Sequence, residues 1–120
     1  MSVTVENSFS DDLALARQLA ALASEDALDY FHRGVSTEYK QDGTLVSQAD
    51  IEVDRSLVDF LARRRPGDAV LGEELGALGD SSRRWLFDPI DGTSNFVAGS
   101  SQWGTHVALQ NDRQIRLVAR

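Results

Sequence analysis

Trp85-Leu86-Phe87-Asp88-Pro89-Ile90-Asp91-Gly92-Thr93-Ser94-Asn95-Phe96 is the stretch on which the interpretation of this chain turns. Trp85 to Phe87 is a short apolar run of the kind that forms a buried strand. Such a run usually ends in turn residues, yet here it leads into two acids, Asp88 and Asp91, on either side of Pro89-Ile90. A second run upstream behaves alike: Asp68-Ala69-Val70-Leu71 passes into Gly72-Glu73-Glu74. Carboxylates held at the rim of a core are costly unless their charge is compensated. Several of them converging suit a hard divalent cation, and an all-oxygen donor set favours Mg2+ or Mn2+ over zinc. Spacing alone leaves the alternative open that Asp88 and Asp91 are solvated turn acids, which is how we read Asp80 and Asp112.

Outward from this stretch the pattern is helical first and extended afterwards. Ser10 with Asp11 and Asp12 resembles an N-cap with acids in the first turn, which leaves residues 1–9 as a flexible tail. Leu13, Ala16, Leu19, Ala20, Ala23, Ala27 and Phe31 then recur at helical spacing until Gly34. Asp42-Gly43 signals a turn within Thr37 to Val46. Ser47 with Asp50 matches a capping box, with Asp in place of Glu, for a second helix through Ile51, Asp54, Leu57, Val58 and Leu61, stopping by Pro66. Residues 75–82 read as a loop. Trp103 to Leu109 and Gln114 to Val118 read as strands joined by a turn at Asn111-Asp112. The expected architecture is a single α/β (α+β layered) domain over residues 1–120, two helices followed by a largely antiparallel sheet.

Charge and composition narrow the function. Twelve basic and 19 acidic side chains give a net charge of −7, which argues against a nucleic-acid groove. The run Arg63-Arg64-Arg65 before Pro66 suits a helix C-terminus better than a phosphate patch. Absence of cysteine removes disulfide and thiolate chemistry. No run approaches the roughly 20 apolar residues of a membrane span. The expectation is a cytoplasmic protein acting on a small metabolite, without nucleic-acid or membrane partners.

The wording of three segments adds a resemblance. Asp88 to Phe96 resembles the signature D-P-[ILV]-D-G-T-x-N-[FY] of the inositol monophosphatase superfamily. Gly72-Glu73-Glu74 resembles its G-E-E metal motif, and Lys40 to Asp50 its K-x-D-G-x-x-V-T-x-A-D segment. Trp103-Gly104-Thr105 after Asn95-Phe96-Val97 is most similar to the histidinol-phosphatase branch. The resemblance implies the N-terminal half of the inositol monophosphatase/sugar-phosphatase fold and a Mg2+-dependent (or Mn2+-dependent) phosphate-monoester hydrolase. It implies Glu73, Asp88, Asp91 and the Ile90 carbonyl as metal ligands, with Glu73 also part of the catalytic set. Asp50 and Thr93 are implied as the pair that orients and deprotonates the attacking water. Gly92 and Thr93 are implied as backbone donors to the substrate phosphate, attack being in line and without a phosphoenzyme.

Where the chain departs from that pattern, other readings open. Family members are longer, and a further aspartate in a W-D-x-x-[AG]-G motif has no counterpart here. Ala98 and Ser100-Ser101-Gln102 stand where relatives often carry Arg and Pro. Three expectations follow: a truncated histidinol-phosphatase (in histidine biosynthesis) or inositol-1-monophosphatase with impaired turnover; a working phosphatase completed by a homo-oligomer or a complementing C-terminal chain; or a non-catalytic metal-binding or interaction remnant. Lys40 is read in equal measure as an exposed loop lysine or as a neighbour of metal or phosphate. His32 is read as a helix-end cation, His106 as a core or sheet-face residue, and Trp103 as packing.

Overall fold

The computed structural model describes residues 5–34, 37–41, 45–112 and 114–119. Its order is α1 (Val5–Arg33), β1 (Thr37–Tyr39), β2 (Leu45–Ser47), α2 (Gln48–Arg64), β3 (Ala69–Gly72), β4 (Gly76–Leu78), β5 (Arg83–Asp91), α3 (Thr93–Val97), β6 (Gly104–Asn111) and β7 (Gln114–Ala119). β1 and β2 form an antiparallel pair whose connection, with Asp42 and Gly43, lies outside the described residues. The main sheet has the order β4-β3-β5-β6-β7. Only β3 and β5 run parallel within it; the other pairings are antiparallel, as the sequence led us to expect.

Both long helices pack on one face of that sheet. Ala49, Val53, Leu57 and Leu61 recur every fourth residue of α2 and are buried, a ridge in line along the helix. α1 buries Leu15, Ala16, Leu19, Ala20, Ala23 and Ala27, and so many alanines let helix and sheet approach closely. Trp85 and Phe87 of β5 with Val107 and Leu109 of β6 complete this core by strict alternation. The opposite face is lined by Leu71, Leu86, Ala108 and Val118 around a hollow of about 450 Å³. Gly72, Glu73, Asp88 and His106 also border it, so it runs up to the acid-rich strand ends.

Three expectations are corrected. α1 begins at Val5, so residues 5–9 are helical and Ser10 sits inside the helix rather than capping it. Asp12 accordingly turns inward, 2.9 Å from Arg83 and 3.6 Å from Arg65, an ion-pair network that a first-turn acid would not make. Within 75–82, Gly76–Leu78 pairs with β3, its Gly76 at φ +80° allowing the tight reversal. Finally, the strand expected over the short run Trp85 to Phe87 extends from Arg83 to Asp91, through a break in register after Asp88. The Asn111-Asp112 turn stands where expected, with Asp112 at φ +51°.

Candidate functional site

The acids singled out in the sequence meet where β3 and β5 end beside the start of α2. The break in register between Asp88 and Asp91 is the local device that allows it. In a regular strand two residues three apart point to opposite faces. The bulge absorbs Pro89 and Ile90, both buried, and re-aims the segment. Pro89 has no N–H to give to the ladder, so a bulge is a natural place for it, and its carbonyl accepts from the Thr105 hydroxyl at 2.8 Å.

Gly92 then turns the chain with φ +95°, a conformation costly for any side chain, and its missing Cβ would stand 3.0 Å from the Gln102 carbonyl. Thr93 follows as the first residue of α3. Its hydroxyl donates to Asp50 Oδ1 at 2.9 Å and lies 3.3 Å from the Ile90 carbonyl. Asp50 is almost fully buried. The capping box expected from the sequence holds it: Asp50 Oδ2 accepts from the Ser47 N–H at 2.8 Å and from the Ser47 hydroxyl, while the Asp50 N–H donates to Ser47 Oγ at 3.2 Å. One carboxylate oxygen is thereby pinned by the cap and the other is presented to Thr93.

Asp88 carries the electrostatic signature of the site. Its pKa is pushed up to about 6, first by burial and then by the negative charges of Glu73 and Asp91, with Asp50 adding to them. The Ile90 N–H, which donates to it, opposes the shift. Glu73 is held at its backbone, where its N–H donates to the Phe87 carbonyl at 3.1 Å, and its side chain is exposed. Asp91 is exposed as well, with His106 Nε2 3.4 Å from its Oδ2. The structure thus brings Glu73, Asp91 and Asp50 near enough for their charges to act on Asp88. These carboxylates and the Ile90 carbonyl fit a hard divalent cation in donor type and in charge. Among the described residues, however, no three His, Cys, Asp or Glu side chains are drawn together as a ready ligand shell.

The bland readings fare as follows. Trp103 packs in an aromatic cluster with Phe96 and Phe31, ring centroids 5.0 and 5.9 Å away. His32 sits in the last turn of α1. Lys40 is drawn to the Glu74 carboxylate at 2.7 Å, so it is not a free loop lysine. His106 is a sheet-face residue, but a sequence reading gave no hint that it would border Asp88 and Asp91. Its register partner across the sheet is Asp88, a relation visible only once β5 and β6 are paired. Asp54, in the sequence no more than a position of the second helix, is wholly buried beneath the Glu73-Glu74 turn.

Comparison with known proteins is consistent with these features. The model of the inositol monophosphatase family matches residues 10–118. A Streptomyces griseus protein named glucose-1-phosphate thymidylyltransferase is 50% identical over 107 residues, covering 88% of this chain and 41% of that one. The histidinol-phosphatase of Streptomyces coelicolor is 42% identical over 107 residues, covering 88% of this chain and 40% of that one. Among solved structures, the IMPase of Thermotoga maritima superposes with a TM-score of 0.82 at 28% identity, covering 90% of this chain and 42% of its own. The chain therefore spans about 40% of the length of these relatives. With a family model running from the first long helix into the last strand, this chain belongs to the inositol monophosphatase family.

Proposed function

We propose that this chain supplies the metal-binding and water-activating part of a phosphate-monoester hydrolase, with histidinol phosphate as the preferred substrate and inositol 1-phosphate as the runner-up. The observation that carries this reading is the Thr93–Asp50 hydrogen bond, made across 43 residues of sequence, beside an Asp88 raised to about 6 by burial and then by its acidic neighbours. The preference for histidinol phosphate rests on the Trp103-Gly104-Thr105 segment and on the 42% identical histidinol-phosphatase.

Glu73, Asp88, Asp91 and the Ile90 carbonyl are the residues that would hold Mg2+ or Mn2+. When bound, such an ion neutralises phosphate charge and acidifies water. The chain's own contribution lies in the Asp50–Thr93 pair. Because the Thr93 hydroxyl donates its proton to Asp50 Oδ1, its oxygen is left as an acceptor for a water O–H. A proton leaving that water passes to Thr93 Oγ1 as the threonine proton moves to Asp50 Oδ1. Asp50 is a competent acceptor because Ser47 fixes its other oxygen and thus its orientation. Gly92 and Thr93 offer backbone N–H groups to the phosphate at the head of α3; with five residues that helix contributes donors and little dipole.

Mg2+-dependent phosphate release from histidinol phosphate and from inositol 1-phosphate tests the proposal. Asp50→Asn and Thr93→Val should each lower the rate by roughly 10²–10⁴-fold, the range of a lost general base. Release that is unaffected by either substitution would remove the pair from the mechanism.

A further inference from the structure

The cost of Asp54 needs explaining. It is 0% exposed and sits one helical turn beyond Asp50 on α2. Its Oδ2 accepts from the backbone N–H of Glu74 at 3.0 Å and of Leu75 at 2.9 Å. Its Oδ1 has no hydrogen-bond partner among the described residues. A buried carboxylate with an unmet oxygen is among the more expensive groups a helix can carry. An apolar residue would fill the same volume at less cost, so what Asp54 supplies is the hold on those two N–H groups. Gly72 shows how closely the parts are fitted, since a Cβ there would stand 2.5 Å from Asp54 Oδ2.

We propose that Asp54 is a positioning residue for the metal centre: from α2 it clamps the turn after β3, and so fixes where Glu73 stands relative to Asp88. The turn is gripped on both sides of Glu73. β5 holds the Glu73 N–H through the Phe87 carbonyl, and Asp54 holds the next two N–H groups. Glu74 is tied down further by Lys40. Asp50, four residues or about 6 Å earlier along the same helix, holds Thr93 on the other limb of the site. α2 therefore acts as a ruler: two carboxylates one turn apart set the spacing between the Glu73 limb and the Asp88–Thr93 limb. A bond to backbone rather than to the Glu73 side chain fixes the peptide frame and leaves that carboxylate available.

The inference rests on the hydrolase reading only in its metal arm, and the test keeps the two apart. Amide hydrogen exchange on the full chain is measured for wild type, Asp54→Ala and Asp54→Asn, together with Mn2+ titration followed by electron paramagnetic resonance. In Asp54→Ala the Glu74 and Leu75 amides should exchange at least about tenfold faster, with Leu57 in the core of α2 unchanged. Mn2+ affinity should fall by about 10–100-fold, the range for loss of an outer-shell partner. Asp54→Asn keeps an acceptor oxygen and should recover most of both signals, which a simple loss of negative charge would not allow. If Asp54→Ala fails to fold, Gly72→Ala should weaken the same two amides by displacing the carboxylate. Unchanged amides, unchanged Mn2+ affinity in Asp54→Ala, or equal losses in the Ala and Asn variants would overturn the role. Wild-type protein that binds no Mn2+ would instead overturn the metal centre itself.

Discussion

Asp88 concentrates the tension of this site in one side chain. Burial and three acidic neighbours raise it from 3.8 to about 6, so the folded protein binds its proton more tightly than the unfolded chain does. For a raised carboxylate the sign is fixed: metal-free stability falls as pH climbs from about 4 to about 6 and then levels off. Asp88→Asn removes the penalty. At pH 7.5 without divalent ions it should stabilise the protein by on the order of 1–2 kcal/mol after solvent screening, and flatten that slope. Thermal melts of both proteins at pH 4.5 and 7.5 check this; equal slopes would show that the neighbours do not act on Asp88. The same substitution should abolish hydrolysis, which makes Asp88 a residue kept at the expense of stability. Asp88 and Asp91 could be singled out from the sequence because acids after an apolar run are unusual. Their joint orientation could not, because it depends on a bulge whose register is set against β6.

At the level of the element, α2 does more than cover the sheet. Its capping box ends the β2 strand, starts the helix and orients Asp50 with one set of hydrogen bonds. Ser47→Ala should therefore cost about 1 kcal/mol of stability, the usual worth of an N-cap. It should also lower hydrolysis beyond what that loss explains, because Asp50 is freed to rotate. A rate unchanged at a temperature well below the melt would separate the cap from the chemistry. Leu57→Ala, a core change on the same helix, should destabilise by about 2–5 kcal/mol while leaving Mn2+ affinity within a factor of three wherever the protein remains folded. This helix is legible in the sequence from the Ser47–Asp50 spacing, whereas Ala49 and Val53 of its buried ridge emerge only in the structure. The first helix was placed too short, because Ser10-Asp11-Asp12 imitates a cap; the tertiary partner of Asp12 is Arg83, 71 residues away. β4 was missed because a three-residue strand beginning at a glycine has too little pattern to register.

Across the whole molecule, the two faces of the sheet differ. One is closed by α1 and α2; the other presents Leu71, Leu86, Ala108 and Val118 around a hollow, beside the edge strand β7 with Ile115 and Val118 each about half exposed. Apolar surface of this kind together with an unpaired strand edge promotes association. The sedimentation coefficient of the chain should rise with concentration, and Val118→Glu should reduce that rise. A concentration-independent monomer would show that the face is tolerated in water. Among the described residues no helix is long and apolar enough to cross a membrane.

The sequence by itself determined the family, the order of helices before strands, the cap that begins α2 and the acids at the strand ends. These are local or periodic features, written in residues a few positions apart. The resemblance already paired Asp50 with Thr93; only the tertiary structure decided the hydrogen bond between them, that His106 lies beside Asp91, and that Asp54 grips the turn bearing Glu73. Each of those relations joins segments far apart in the chain, through strand register and helix packing. A carboxylate's field and a hydrogen bond act through space, and no spacing along the chain encodes that.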